Sequence, residues 1–299
     1  MVNKVGFQLG YWWATSIGKD TYKGIEYTAR LGADYVEISP SVFLNSTHKE
    51  LKNLLRICRD SNLSITVNGS MMSSNANLIS PDKQVNKAGL EICRRVIEGC
   101  AVLESPIWSG VMHGVWGGRP VNHPASDEIA QTRSRGLKGI QEIVKDATAH
   151  NVILCLEIVN RFEMFYLNTG NDGVDFCSAV NSPFCKLLLD TYHMSIEEDN
   201  LLDTLQYVQQ KGFFGCLHVG ETNRRIPVGG KSNIDWFRMG QLLKEINYSG
   251  PITLEPYVFE SMHYSPAVSI WRNLMDPADL STAEKTAKQG VDFIKHILS

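Results

Sequence analysis

Apolar residues in this chain fall into short, solid runs separated by longer stretches in which apolar positions recur every three or four residues. Solid runs imply strands buried on both faces, and spaced stretches imply helices with one face covered. Val5–Leu9, Tyr35–Ile38, Ser64–Val67, Pro106–Trp108, Val152–Val159, Lys186–Asp190, Gly215–His218 and Ile252–Glu255 read as strands. Helical spacing covers Thr21–Leu31, which stops at Gly32. The capping box Thr47-x-x-Glu50 opens a second helix, to about Asp60. A long one follows Pro81-Asp82 to about Leu103, and Ile129–His150 is another. Shorter segments lie near Val174–Val180, Leu201–Gln210 and Trp236–Ile246, and Ser281-x-x-Glu284 is expected to cap a last helix over Thr282–Ile297. Val111–Pro124 reads as a long loop, and the stretch after strand eight is irregular to about Leu280. Eight strands, each followed by a helix, predict an α/β fold, a single (β/α)8 TIM barrel over residues 1–299.

Composition narrows the class. The 299 residues are 43% apolar, enough for a large core, and α/β barrels of this length form one domain. A net charge of -3 argues against a nucleic-acid surface. The apolar runs are too short to span a membrane, and the start, Met1 to Gly6, runs straight into a strand with no signal peptide. The seven cysteines are scattered singly, with no CxxC, and read as reduced core residues of a cytoplasmic protein.

The chemistry gathers at strand ends. The run Val152-Ile-Leu-Cys-Leu-Glu-Ile-Val-Asn-Arg-Phe-Glu163 ends on Glu157, with Glu163 just beyond. Three later runs end on Asp190, His218 and Glu255. Any one of them reads equally as an ion pair with a basic loop residue, but four in succession point to one constellation. In such barrels the active site lies at the C-terminal strand ends, where all four fall. Three carboxylates and an imidazole make an oxygen-rich site that favours Mn²⁺, Mg²⁺ or Co²⁺ over a structural zinc. Open positions on a six-coordinate ion would accept adjacent substrate oxygens. Glu163, His193 and Arg224 follow the four in the loops over the pocket. Arg224 suits hydroxyl or carbonyl oxygens through its planar fork. Spacing leaves His193 open between a loop histidine and a site residue, and Glu163 between a helix-start carboxylate and a site residue.

Leu156-Glu-Ile-Val-Asn-Arg-Phe-Glu163, Leu189-Asp-Thr-Tyr-His-Met-Ser-Ile-Glu-Glu198, His218-Val-Gly-Glu-Thr-Asn-Arg224 and Leu254-Glu-Pro-Tyr257 are long, ordered motifs. With Ser80-Pro-Asp-Lys83 and Val268-Ser-Ile-Trp-Arg272, they make the chain resemble, over essentially its whole length, the ketose 3-epimerases of the xylose-isomerase-like barrel superfamily. The resemblance implies a metal-dependent isomerase that inverts C3 of free ketoses: D-tagatose, D-psicose/D-fructose or L-ribulose. It implies one divalent ion per subunit, Mn²⁺ or Co²⁺, held by Glu157, Asp190, His218 and Glu255. Glu157 and Glu255 would also be the acid/base pair, acting on opposite faces of C3 through a cis-enediolate. Glu163, His193 and Arg224 would bind the O1–O3 end of the sugar, with Trp116 and Tyr257 in the aromatic wall at its far end. A homodimer or homotetramer is implied by analogy.

Several positions depart from the family pattern. Gln8 stands where the first strand commonly offers an aromatic, and Tyr257 where phenylalanine is usual. The first-loop tryptophan has no counterpart in Ala14–Lys19, and His113-Gly-Val-Trp116 is unlike the family's segment. If the first strand continues through Trp12 and Trp13, they face opposite ways and at most one reaches the pocket. The rival functions are an aldose–ketose isomerase on the same metal site and an epimerase of a phosphorylated ketose. The latter is disfavoured because no phosphate-binding glycine loop follows strands seven or eight. A multi-metal phosphodiesterase of the endonuclease IV type would need more ligands and a basic rim. A non-catalytic sugar-binding barrel would not need two matched glutamates.

Overall fold

The eight apolar runs become the eight strands of a closed parallel barrel, in chain order around the ring. The structure is a computed structural model that describes residues 3–118, 120, 122–260 and 268–299. The strands are β1 (Val5–Gln8), β2 (Tyr35–Ile38), β3 (Ser64–Asn68), β4 (Ile107–Gly110), β5 (Ile153–Glu157), β6 (Cys185–Asp190), β7 (Phe214–Val219) and β8 (Ile252–Leu254). β1 pairs with β2 and also with β8, with Gly6 opposite Thr253, which closes the ring. Strand residues are mostly buried because inner side chains fill the barrel and outer ones meet helices.

Ten α-helices have their bounds among the described residues: α1 (Gly10–Trp13), α2 (Thr21–Arg30), α3 (His48–Asp60), α4 (Lys83–Val102), α5 (Ser126–Ala149), α6 (Gly170–Val180), α7 (Thr191–Glu197), α8 (Leu201–Gln210), α9 (Trp236–Glu245) and α10 (Leu280–Leu298). Local signals set most of their ends. The Thr47–Glu50 capping box forms at α3, and Gly32 takes the left-handed φ of +75° that stops α2. None of these helices is long and apolar enough to cross a membrane.

Three expectations need correction. The last helix is capped by Asp279, which accepts from Thr282 N at 2.9 Å, so Ser281 already lies inside it. Asp279 stands just before the first helical residue, Leu280, where a carboxylate can accept from the open N–H groups of the first turn. After Gln8 the chain turns into α1 instead of continuing as a strand. Helical spacing sends Trp12 into the core, where its Nε1 donates to Thr28 Oγ1 at 2.9 Å, and leaves Trp13 half-buried on the cavity wall. β5 stops at Glu157, two residues before Val159. Arg119 and Val121 of the Val111–Pro124 loop, residues 261–267 of the irregular stretch after β8, and Met1 and Val2 of the expected start lie outside the described residues.

The barrel interior below the strand ends has a polar centre. A Cβ at Gly6 would stand 2.1 Å from the Tyr35 ring, so glycine gives that ring its place. Tyr35 OH then shares a 2.8 Å hydrogen bond with Thr253 Oγ1.

Candidate active site

Each of the four strand-end residues is set by its own element. Glu157 is the last residue of β5, and Asp190 ends β6. Asp190 also caps α7, with Oδ1 accepting from Tyr192 N at 2.8 Å. His218 is on β7, and Glu255 follows β8 directly. Ligand atoms of the four lie within 4.8 Å of one another, and all four residues are buried.

Each Glu255 oxygen has its own neighbours. Oε2 lies 3.4 Å from His218 Nδ1 and 3.3 Å from Arg224 Nη1. Oε1 accepts from Gln8 Nε2 at 2.6 Å, with Tyr257 OH at 3.5 Å. Glu157 is less well supplied: among the described residues its ion-pair contact is His193 Nε2 at 3.6 Å.

Arg224 ties the loops to the cluster. Its Nη1 donates to Asp190 Oδ2 at 2.9 Å, and its Nη2 lies 3.2 Å from His193 Nε2 and 3.6 Å from Glu163 Oε1. Its guanidinium sits 3.7 Å from the centroid of the Tyr192 ring and 4.9 Å from that of Tyr257, so both aromatics face the cation. Its backbone holds a left-handed φ of 63°. Arg224 N donates to Glu221 O, and its carbonyl accepts from Tyr257 N, so the loops after β7 and β8 impose that conformation.

Asn160 orders the opposite wall. Its backbone N–H donates to His193 Nδ1 at 3.1 Å, which turns His193 Nε2 toward Glu157, Asp190 and Arg224. Glu163 accepts from Trp116 Nε1 at 2.6 Å, which pins the loop after β4 to the loop after β5.

The protonation balance follows from burial and from these neighbours. Burial raises Glu157 well above the usual carboxylate range, and Glu255 adds to the effect. Burial also lifts Asp190, to about 6, although Arg224 opposes it. Glu255 goes the other way: His218, Arg224 and Tyr257 outweigh burial and lower it. Burial, then Arg224, hold His193 well below an ordinary histidine, so it is neutral. Burial opposes charge on His218, but Glu37 and Glu255 outweigh it and raise the group well above the ordinary value.

This donor set fits a divalent cation. Glu37, Glu157, Glu163, Asp190 and Glu255 are five buried carboxylates, and Arg224 is the permanent cation among them. Buried charge of one sign calls for a counter-ion. His218 Nδ1 is buried without a hydrogen-bond partner, although it faces the other ligand-type groups. Binding of a cation would displace the proton that the carboxylates favour on His218 and free the Nδ1 lone pair for coordination.

The cavity over the cluster measures about 270 Å³, small for a ligand site and suited to a small molecule. Glu157, Glu163, His193, Arg224, Glu255 and Tyr257 line it, and Trp116 stands on its wall. The site residues expected from the sequence therefore all meet there or directly beneath it. Sequence reasoning missed the parts played by Asn160, Tyr192 and Glu37. Glu37 did leave a signal, as a lone charge in the otherwise uncharged β2. Gln8 was noted only as a departure, yet it touches Glu255.

A buried acid/imidazole cluster at the C-terminal mouth of a closed (β/α)8 barrel defines a class. The family model described as Xylose isomerase-like TIM barrel matches residues 25–297, and the chain belongs to that family. It is 31% identical over 298 residues, 99% of each chain, to D-psicose 3-epimerase of Agrobacterium fabrum (strain C58 / ATCC 33970). It is 30% identical over 276 residues to L-ribulose 3-epimerase of Methylomonas sp. (strain DH-1), covering 91% of this chain and 90% of that one. A solved structure of D-psicose 3-epimerase with D-tagatose from Clostridium cellulolyticum H10 superimposes with a TM-score of 0.91 at 28% identity, over 99% of both chains. These relatives are ketose 3-epimerases, and epimerases are isomerases. The resemblance carried by the sequence motifs holds.

Proposed function

We propose that the protein is a metal-dependent ketose 3-epimerase acting on free sugars such as D-psicose/D-fructose, D-tagatose or L-ribulose. One observation carries the proposal: Glu157 and Glu255 reach one small cavity from β5 and β8, beside Asp190 and His218. β5 and β8 stand three places apart around the ring, so the two carboxylates approach a substrate from different sides.

Inversion at C3 needs a proton removed from one face and another delivered to the opposite face. Glu255, held ionised by His218, Arg224 and Tyr257, is suited to take the proton. Glu157, reaching the cavity from the other side, is suited to return one. The roles exchange for the reverse reaction. Glu157, Asp190, His218 and Glu255 would hold the divalent ion, with Mn²⁺ foremost and Co²⁺ or Mg²⁺ as alternatives. When bound, that ion supplies Lewis-acid polarisation of the C2 carbonyl and charge stabilisation of the cis-enediolate.

Arg224, His193 and Glu163 are assigned to the O1–O3 end of the sugar. Arg224 donates, Glu163 accepts, and His193 presents its Nε2 side to the cavity. Trp116 and Tyr257 form part of the wall beside the rest of the chain. Gln8 makes that wall more polar than an aromatic would. The seven cysteines are buried free thiols, which supports a reducing, cytoplasmic setting.

The test is a product assay on chelator-treated protein in D₂O, with and without Mn²⁺, on each of the named ketoses. Deuterium at C3 of a ketose epimer, formed only with metal, is the expected result. An aldose product labelled at C1 or C2 would reassign the protein as an aldose–ketose isomerase. Turnover confined to phosphorylated ketoses would move the substrate class.

A further inference from the structure

Glu37 has no role in the scheme above, yet it is a buried carboxylate inside the barrel. Its Oε1 lies 3.1 Å from His218 Nε2, and its Oε2 lies 3.3 Å from the same nitrogen. Thr253 Oγ1 donates to Oε2 at 3.1 Å, and Thr66 Oγ1 lies 3.4 Å from it. Tyr35 OH in turn holds Thr253. Three neighbouring side chains on β2, β3 and β8 thus fix the carboxylate behind the histidine ring. On the far side of that ring, Nδ1 faces Glu255 and has no hydrogen-bond partner.

An imidazole that coordinates through one nitrogen is neutral and carries its proton on the other. We propose that Glu37 is the positioning residue of the candidate metal centre. It accepts the Nε2–H bond of His218, fixes the ring's tautomer and plane, and leaves Nδ1 as the donor to a divalent cation. The inference rests on the metal-dependent function proposed above and extends it to a residue that touches neither metal nor sugar. A carboxylate in this place also makes the ligand a stronger electron donor. Leucine would fill the same space without the acceptor, and glutamine would keep an acceptor oxygen without the charge.

The experiment is calorimetric titration of Mn²⁺ into the chelator-treated full chain: native, Glu37→Gln and Glu37→Leu. Loss of an outer-shell partner weakens metal binding about 10- to 100-fold. Kd is expected to rise about tenfold in Glu37→Gln and toward about a hundredfold in Glu37→Leu. Turnover by Glu37→Gln should recover as Mn²⁺ is raised, with KM for the ketose unchanged. Nitrogen-15 NMR of the Mg²⁺-loaded native protein should find the His218 proton on Nε2. If Glu37→Leu fails to fold, Glu37→Gln carries the test. Native-like Kd in the folded variants, with one Mn²⁺ bound by native protein, overturns the inference and leaves the metal-dependent function standing. A proton on His218 Nδ1 does the same. Native protein that binds no divalent ion overturns both together.

Discussion

His113 sits at the foot of the loop that carries Trp116, fully buried, and neither ring nitrogen has a hydrogen-bond partner. Its ring packs edge-on to Tyr166, with centroids 5.8 Å apart, and at a tilt against Phe176 at 6.2 Å. Burial lowers it from 6.5 to about 4, so the folded chain resists a proton that the unfolded chain accepts. With the folded value depressed, the stability contributed by neutral His113 is complete above about pH 6.5 and is lost as pH falls toward 4. A gap of about 2.5 pH units, at about 1.4 kcal/mol each, amounts to about 3 kcal/mol. Between about pH 7 and pH 4.5, about 2 kcal/mol of it disappears. His113→Phe keeps an aromatic ring among Tyr166 and Phe176 and cannot be protonated. Urea unfolding of both proteins at the two pH values measures the effect, and the comparison cancels every other titrating group. The variant's stability relative to native should rise by about 2 kcal/mol on acidification. A difference independent of pH would refute the buried, unpaired state assigned to His113.

Other outcomes follow from the same geometry. Glu157→Gln and Glu255→Gln should each lower kcat by about 10²- to 10⁴-fold while the fold persists, as steady-state kinetics and circular dichroism would register. Chelation should abolish turnover and lower Tm, and Mn²⁺ at about a hundred times its Kd should return about 2.7 kcal/mol of stability in a thermal melt. Gln8→Leu removes the 2.6 Å hydrogen bond to Glu255 Oε1. At about 1.5–3 kcal/mol for a bond to a charged group, kcat/KM should fall at least about tenfold. Unchanged kinetics on every ketose would mean that Gln8 positions nothing.

The barrel was legible because its parts are local. Solid apolar runs, the Thr47–Glu50 box and the stop at Gly32 each depend on neighbouring residues, and repetition of the unit implied closure. Glu157, Asp190, His218 and Glu255 were legible for a related reason: each ends a strand, and parallel barrel strands all end on one face. The turn into α1 after Gln8 was not legible, because a short aromatic run suits a strand or a helix until packing of Trp12 against Thr28 decides.

What the sequence determined by itself was the set of elements, the face on which the charged residues gather, and the kind of chemistry those residues allow. What only the tertiary structure decided was who touches whom across long separations. Gln8 meets Glu255 across 247 positions, and Glu37 meets His218 across 181. No periodicity records such pairs, since they arise from the closure of β8 on β1 and from the width of the barrel. The same holds for the unequal surroundings of Glu157 and Glu255. Two glutamates alike in sequence become opposite in proton affinity, because one is left among few donors while the other meets Gln8, His218, Arg224 and Tyr257.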